Sequence, residues 1–272
     1  MLSHNNNQHV QGIGAEAPPT GQRGFSLLEL AIVLLVVGLL LGGLAAPLST
    51  RVEQQRVDST SQQLADIRAA LTGYALANDA LPCPATPASN GRASSTATGC
   101  TSQHGFVPAV TLALPGARND DQLLLDAWGN PIRYSVTNSD ANGNGNWDFV
   151  RPGEMRTVTV AALAPNLRVC TTAAGSTATA CASNATTVVS TAPAVLLSMG
   201  GDWANFTSTD EQEDVGTTVG GGPSGRNYAI ASDIVFVTRT RSEATGSEYD
   251  DIVTWVSPSA LYGQLVAGGR LP

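Results

Sequence analysis

Lysine is absent: all fourteen cations of the 272-residue chain are arginine, outnumbered by 22 acids to leave a formal charge of -8. A surface of that sign argues against nucleic acid, whose phosphates demand a basic face. The missing lysine itself has no mechanistic reading. Histidine is scarce too, with His4 and His9 near the start and only His104 beyond. No Cys-x-x-Cys spacing occurs among the four cysteines, which leaves no pattern for structural zinc. Neither a Gly-x-Ser-x-Gly elbow nor a zinc-protease motif accompanies His104, so the chain does not read as an enzyme. No internal repeat is evident.

What is present is concentrated early. Gly24-Phe25-Ser26-Leu27-Leu28-Glu29-Leu30 opens a stretch, apolar to Ala46, in which Glu29 is the one charge. Phe25 to Ala46 would make about 33 Å of helix, enough for a bilayer core that needs about 20 apolar residues. A carboxylate inside it costs about 2.5–3.5 kcal/mol on insertion scales, so Glu29 reads as functional and in need of a partner. The stretch supplies none. A secretory signal has a shorter apolar region and a basic front, whereas this run carries an acid and is preceded by Arg23 alone. A plain membrane anchor accounts for the length but not for Glu29 beside a Gly-Phe junction.

The motif resembles the N-terminus of the type IV pilin and type II secretion pseudopilin superfamily, through Gly24 to Leu30 and the apolar run with Gly38 inside it. The resemblance implies cleavage between Gly24 and Phe25 by prepilin peptidase and N-methylation of the Phe25 amine. It also implies assembly into a helical filament in which Glu29 attracts the N-terminal amine of a neighbouring subunit. Opposite charges attract far more strongly inside an apolar bundle than in water. Pro47 stands one place later than the proline usual in that superfamily.

The expected organisation is a leader over 1–24, a transmembrane and assembly helix over 25–46, an amphipathic continuation over 47–80 and a periplasmic domain over 81–272. Val52, Val57, Leu64, Ile67, Leu71 and Tyr74 form one helical stripe. Pro82 and Pro84 stop that helix near Asn78. Residues 83–127 read as a connection with little regular structure, and 171–192, rich in Ser, Thr, Ala and Gly, as an exposed insertion. Strands are expected over Ile132–Thr137, Thr157–Leu163, Ala194–Met199, Asp233–Thr238 and Asp251–Val256. A short helix then starts at Ser257-Pro258. The fold class is α+β: a long N-terminal helix packed on an antiparallel sheet, which agrees with the pilin fold the resemblance implies.

Cys83, Cys100, Cys170 and Cys181 all lie beyond the apolar run, which suits two disulfides in an oxidising compartment. Three connectivities exist. Cys83 with Cys100 and Cys170 with Cys181 are favoured, because each pair would close a Ser/Thr/Ala/Gly-rich loop.

Two segments could hold calcium. Asp140, Asn142, Asn144 and Asp148 place oxygens at positions one, three, five and nine of a loop with glycine at six, although position twelve is Arg151 instead of a bidentate glutamate. Asn-Gly sequences also form metal-free turns. The second segment comes from resemblance. Asp126 to Tyr134 is similar to a tryptophan turn of major pseudopilins, with Trp128 expected as a core plug, and Asp251-Ile252-Val253-Thr254-Trp255 is similar to their C-terminal segment. That likeness implies calcium in the loop leading to Asp251, where Asp202, Asp210, Glu211, Glu213, Asp214 and Asp250 offer carboxylates. An ordinary solvated acidic loop is the other reading of the same residues.

The function implied is that of a structural subunit of a type II secretion pseudopilus, with a minor type IV pilin as the alternative. Its partners would be like subunits, the peptidase and the inner-membrane assembly platform. It would sit as a single-pass inner-membrane protein before assembly.

Overall fold

The computed structural model describes residues 24, 26–201 and 208–271, with the side chains of 41–49 left aside. The chain divides into two units at Arg51 and Val52. Helix α1 runs Leu27–Asn78. Its start is written in the motif: Ser26 Oγ accepts the Glu29 amide at 3.1 Å and the Ser26 carbonyl accepts the Leu30 amide at 3.1 Å. The Glu29 carboxylate falls in the first turn, where the helix dipole favours an acid. The helix ends as expected, with Asp79 at φ 56° and prolines just beyond.

In the first unit the described apolar side chains are exposed, Leu27 by 88% and Leu39 by 70%. Among the described residues no helix is long and apolar enough to cross a membrane. Residues 1–23 of the leader and Phe25 lie outside the described residues, as do the side chains of 41–49, so the expected span is described only in part.

The second unit holds the remaining elements: β1 His104–Phe106, β2 Arg133–Val136, α2 Glu154–Val158, β3 Leu167–Cys170, β4 Thr187–Ala192 and β5 Ala194–Ser198. They are followed by α3 Thr209–Val215, β6 Thr217–Val219, β7 Tyr228–Ile230, β8 Val235–Val237, β9 Ile252–Val256 and α4 Pro258–Ala267. An antiparallel sheet has the order β1-β2-β5-β9. Leu64, Ile67, Leu71 and Ala75 of α1, with Leu261 and Leu265 of α4, pack with Tyr134, Val136, Ala194, Leu196 and Val256 of this sheet. Alternate residues turn the other way: Val195, Val253 and Trp255 meet Leu167, Val169 and Phe236 of a second sheet, β4-β3-β8. Covered on both faces, β2 and β5 are buried along their whole length. The tyrosine at the centre keeps its hydroxyl satisfied by donating from Tyr134 to the Pro82 carbonyl at 2.9 Å.

Several expectations are corrected. Thr157–Leu163 is no strand: its start belongs to α2, and Ala162 and Leu163 bond back to the Thr159 carbonyl in a turn. A short apolar-polar alternation cannot by itself separate a strand from a helical turn. The stretch 171–192 is exposed as expected, with no buried residue before Ala192, but its end forms β4, and 83–127 has little regular structure as expected, with the short β1 inside it. The second sheet is mixed, since β3 and β8 run parallel. Of the α1 stripe, Val52 is exposed and Tyr74 only half-buried. The cysteines pair as favoured, with Cα atoms 5.3 Å apart in Cys83–Cys100 and 5.6 Å apart in Cys170–Cys181. His104, expected in a loop, is a buried strand residue whose Nδ1 lies 2.8 Å from Ser135 Oγ. Burial pulls its pKa down to about 4, so it is neutral at pH 7.

Candidate functional site

The strand period of two places Arg133 on the opposite side of β2 from Tyr134. Asp251, one residue before β9, has the same parity as Val253 and Trp255, the face toward the second sheet. Helix α3 brings Glu211 and Asp214 to the same place, opened by Ser208, whose Oγ accepts the Glu211 amide at 3.1 Å. The result is a group of ligand oxygens from Glu211, Asp250 and Asp251 that lie within 4.8 Å of one another. Asp251 is only 7% exposed, and neither of its carboxylate oxygens has a hydrogen-bond partner among the described residues.

The other two acids are fixed by the backbone. Glu211 Oε1 accepts the Asp250 amide at 2.6 Å, and Asp250 Oδ2 accepts the Gly201 amide at 2.6 Å. Gly200 makes that approach feasible: at φ +57°, a Cβ there would run into the Asp250 carboxylate.

Charge is unbalanced in this group. Arg133 is buried, donates through Nη1 to the Asp214 carbonyl, and lends its field to both Asp214 and Asp251. Burial lowers its own pKa to about 10, against the pull of those acids. One guanidinium acts on two of these carboxylates, Asp214 and Asp251. The Asp251 carboxyl is still lifted well above the usual range, first by burial and then by repulsion from Asp214 and Glu211. Asp214, whose carboxylate accepts the Val237 amide at 3.2 Å, is lifted the same way, with Glu213 and Glu211 as the repelling neighbours. A hard divalent cation is the chemical complement of such a set of oxygens.

The tryptophan turn abuts this group. Asp126 Oδ1 accepts the amides of Trp128 and Asn130 at 2.9 and 2.8 Å, its Oδ2 accepts Ser198 Oγ at 2.6 Å, and Asn130 Nδ2 donates to the Gly200 carbonyl at 2.7 Å. Trp128 is not the sealed core plug expected. It is half-buried, and its indole N–H is shared between the two Glu53 oxygens at 3.2 and 3.3 Å. Glu53 also pairs with Arg241 at 2.8 Å.

At the other end of the chain, residues 19–45 match the family model for the prokaryotic N-terminal methylation motif. The chain has a type IV pilin-like N-terminus. No curated protein and no solved structure matches it. A pilin-like motif of this kind implies processing by prepilin peptidase and assembly with other pilin subunits. It belongs to a structural family whose members are anchored in the membrane and pass into a filament.

Of the sequence-derived site residues of this pilin-like chain, Asp250 and Asp251 are brought together, while Phe25 and Asp202 lie outside the described residues. Glu211, named only among several acids, is the third member, and Arg133 went unnoticed. Only its alternation with Tyr134 and Val136 could have signalled a buried cation. Asp210 is taken elsewhere, paired with Arg239 at 2.6 Å.

Proposed function

We propose that the chain is a structural subunit of a type II secretion pseudopilus, inserted once in the inner membrane through residues 25–46 and drawn into a periplasmic filament after cleavage between Gly24 and Phe25. The observation that carries this reading is the methylation motif with Glu29 inside its apolar run. Support for a pseudopilin comes from the two later segments that resemble one: the turn at Asp126–Tyr134 and the strand at Asp251–Trp255 meet through Asn130, Gly200 and Asp250. The two disulfides and the long connecting segments favour the second reading, a minor type IV pilin that initiates a pilus or adheres. Like subunits and the assembly platform are the partners in either case.

In this reading Glu211, Asp250 and Asp251 hold one calcium ion, and the residues present fit it, because Asp251 offers two buried oxygens with no hydrogen-bond partner among the described residues. When bound, the ion supplies countercharge and ties the loop before β9 to α3.

Two substitutions test the filament role. In cells that contain the peptidase, Gly24→Ala should accumulate as an unprocessed precursor, and a normal mature mass would sink the reading. Glu29→Gln keeps the shape of the first helical turn while removing the charge. It should insert in the membrane normally yet enter filaments several-fold less, because a lost ion pair in an apolar bundle leaves the partner amine buried and uncompensated. Assembly at the level of the unsubstituted chain would remove Glu29 from the interface.

A further inference from the structure

We propose that the ion pair of Asp210 with Arg239 positions the cation group: it holds Glu211 against Asp250 and Asp251, and it is itself clamped by the loop that the Cys170–Cys181 disulfide closes. The inference rests on the calcium reading of those three acids given above. The segment 140–148 brings no such group together. Asp140 is engaged by the amides of Asn144 and Gly145, and Asp148 by the Ala141 amide and the Ser139 hydroxyl. Glu211 belongs to α3, whereas Asp250 and Asp251 lie just before β9, so the ligands come from two separate pieces of chain. The bond from the Asp250 amide to Glu211 Oε1 spends an oxygen of the ligand set. A support independent of the ion has to come from outside that set.

Asp210 precedes Glu211 on α3 and is only 6% exposed. Its Oδ2 pairs with Arg239 Nη1 at 2.6 Å. Arg239 Nη2 donates to Ser247 Oγ at 3.0 Å, and the guanidinium lies 5.9 Å from the centre of the Tyr249 ring. Tyr249 in turn precedes Asp250. It exchanges both backbone bonds with Ser242, at 2.9 and 2.8 Å, and its hydroxyl donates to the Val237 carbonyl of β8 at 2.6 Å. One planar guanidinium thus joins the neighbour of Glu211 to the neighbour of Asp250, a span that suits the fixed fork of arginine.

The other oxygen of Asp210 faces the disulfide loop. Asp210 Oδ1 accepts the Ala173 amide at 2.7 Å and the Thr172 hydroxyl at 3.0 Å. Both residues lie between Cys170, the last residue of β3, and Cys181. Closing that loop removes alternative conformations from the segment that grips Asp210. A path of bonds therefore runs from the disulfide through one carboxylate to both halves of the cation group.

The decisive test is the sign of one substitution. Arg239→Gln removes a positive charge beside the cation group, so charge alone would tighten calcium binding. Loss of positioning weakens it. Calcium binding to the full-length chain in detergent, followed by titration calorimetry, should weaken at least about fivefold in Arg239→Gln, the lower end of coupling between sites. Arg239→Lys keeps the charge but lacks the fork that spans Asp210 and Ser247, and should weaken binding by a smaller factor. Without calcium, hydrogen exchange at the Ala173 and Asp250 amides should quicken in Arg239→Gln, a readout that needs no ion. Cys170→Ala with Cys181→Ala should also weaken binding, and its effect should fall short of additive with that of Arg239→Gln, because both act through Asp210. Full additivity would overturn the link to the disulfide. Unchanged or tighter binding in both Arg239 variants, with calcium still bound by the unsubstituted chain, would overturn the positioning role alone. An unsubstituted chain that takes up no calcium would remove the calcium reading and this inference with it.

Discussion

Stripping divalent cations from the folded chain at pH 8 should lower its thermal midpoint by about 5–10 °C, whereas the same treatment at pH 5 should lower it much less. An ion at a hundredfold excess over its dissociation constant stabilises by about 2.7 kcal/mol, and in a chain of this size each kcal/mol moves the midpoint by about 2–4 °C. The pH dependence follows from Asp251 and Asp214. Their folded pKa values lie well above the unfolded ones, so the folded state binds more protons, and in the absence of an ion stability falls as pH rises through the folded values. Protons and calcium thus relieve the same repulsion and compete for the same oxygens.

His104 works in the opposite direction. Its folded pKa of about 4 lies below the ordinary 6.5, so its contribution is complete above 6.5 and is lost as pH falls toward 4. Because it is the same with and without the ion, it cancels from the difference. Asp251→Asn should abolish its share of the calcium response yet raise the ion-free midpoint at pH 8, since a neutral amide replaces a buried charge. A midpoint indifferent to chelation at pH 8 would leave Glu211, Asp250 and Asp251 as a purely structural group.

How much of this was legible in the sequence depended on how local the cause was. The stop of α1 at Asn78 was legible because two prolines act through their immediate neighbours. The motif at Gly24 to Glu29 was legible as chemistry, because an acid in an apolar run has few explanations. That Ser26 also caps the helix over Glu29 could have been read from the Ser-x-x-Glu spacing. Arg133 and Asp214 were not legible as partners. They are 81 positions apart, and what joins them is the place of β2 beside β5 in the sheet together with the docking of α3. The parallel pairing of β3 with β8 likewise depends on a long crossover that carries no local signal.

Arg133→Met should cost about 3–5 kcal/mol when measured without calcium at neutral pH, the largest loss expected of any single substitution near the acidic group. The methionine keeps most of the side-chain volume, so the loss measures charge: Asp214 and Asp251 then lose their buried cation. Acidification toward pH 5 should restore part of the loss, because protonating Asp214 or Asp251 removes the repulsion that Arg133 had offset. Calcium should restore more of it than it adds to the unsubstituted chain, since removing a like charge beside the site strengthens the attraction for the ion. The double substitution Arg133→Met with Asp251→Asn should lie well above the sum of the two single effects in the ion-free state, giving a favourable coupling of at least about 1 kcal/mol. Simple additivity would mean that Arg133 contributes by packing alone, and the charge balance drawn for this site would have to be abandoned.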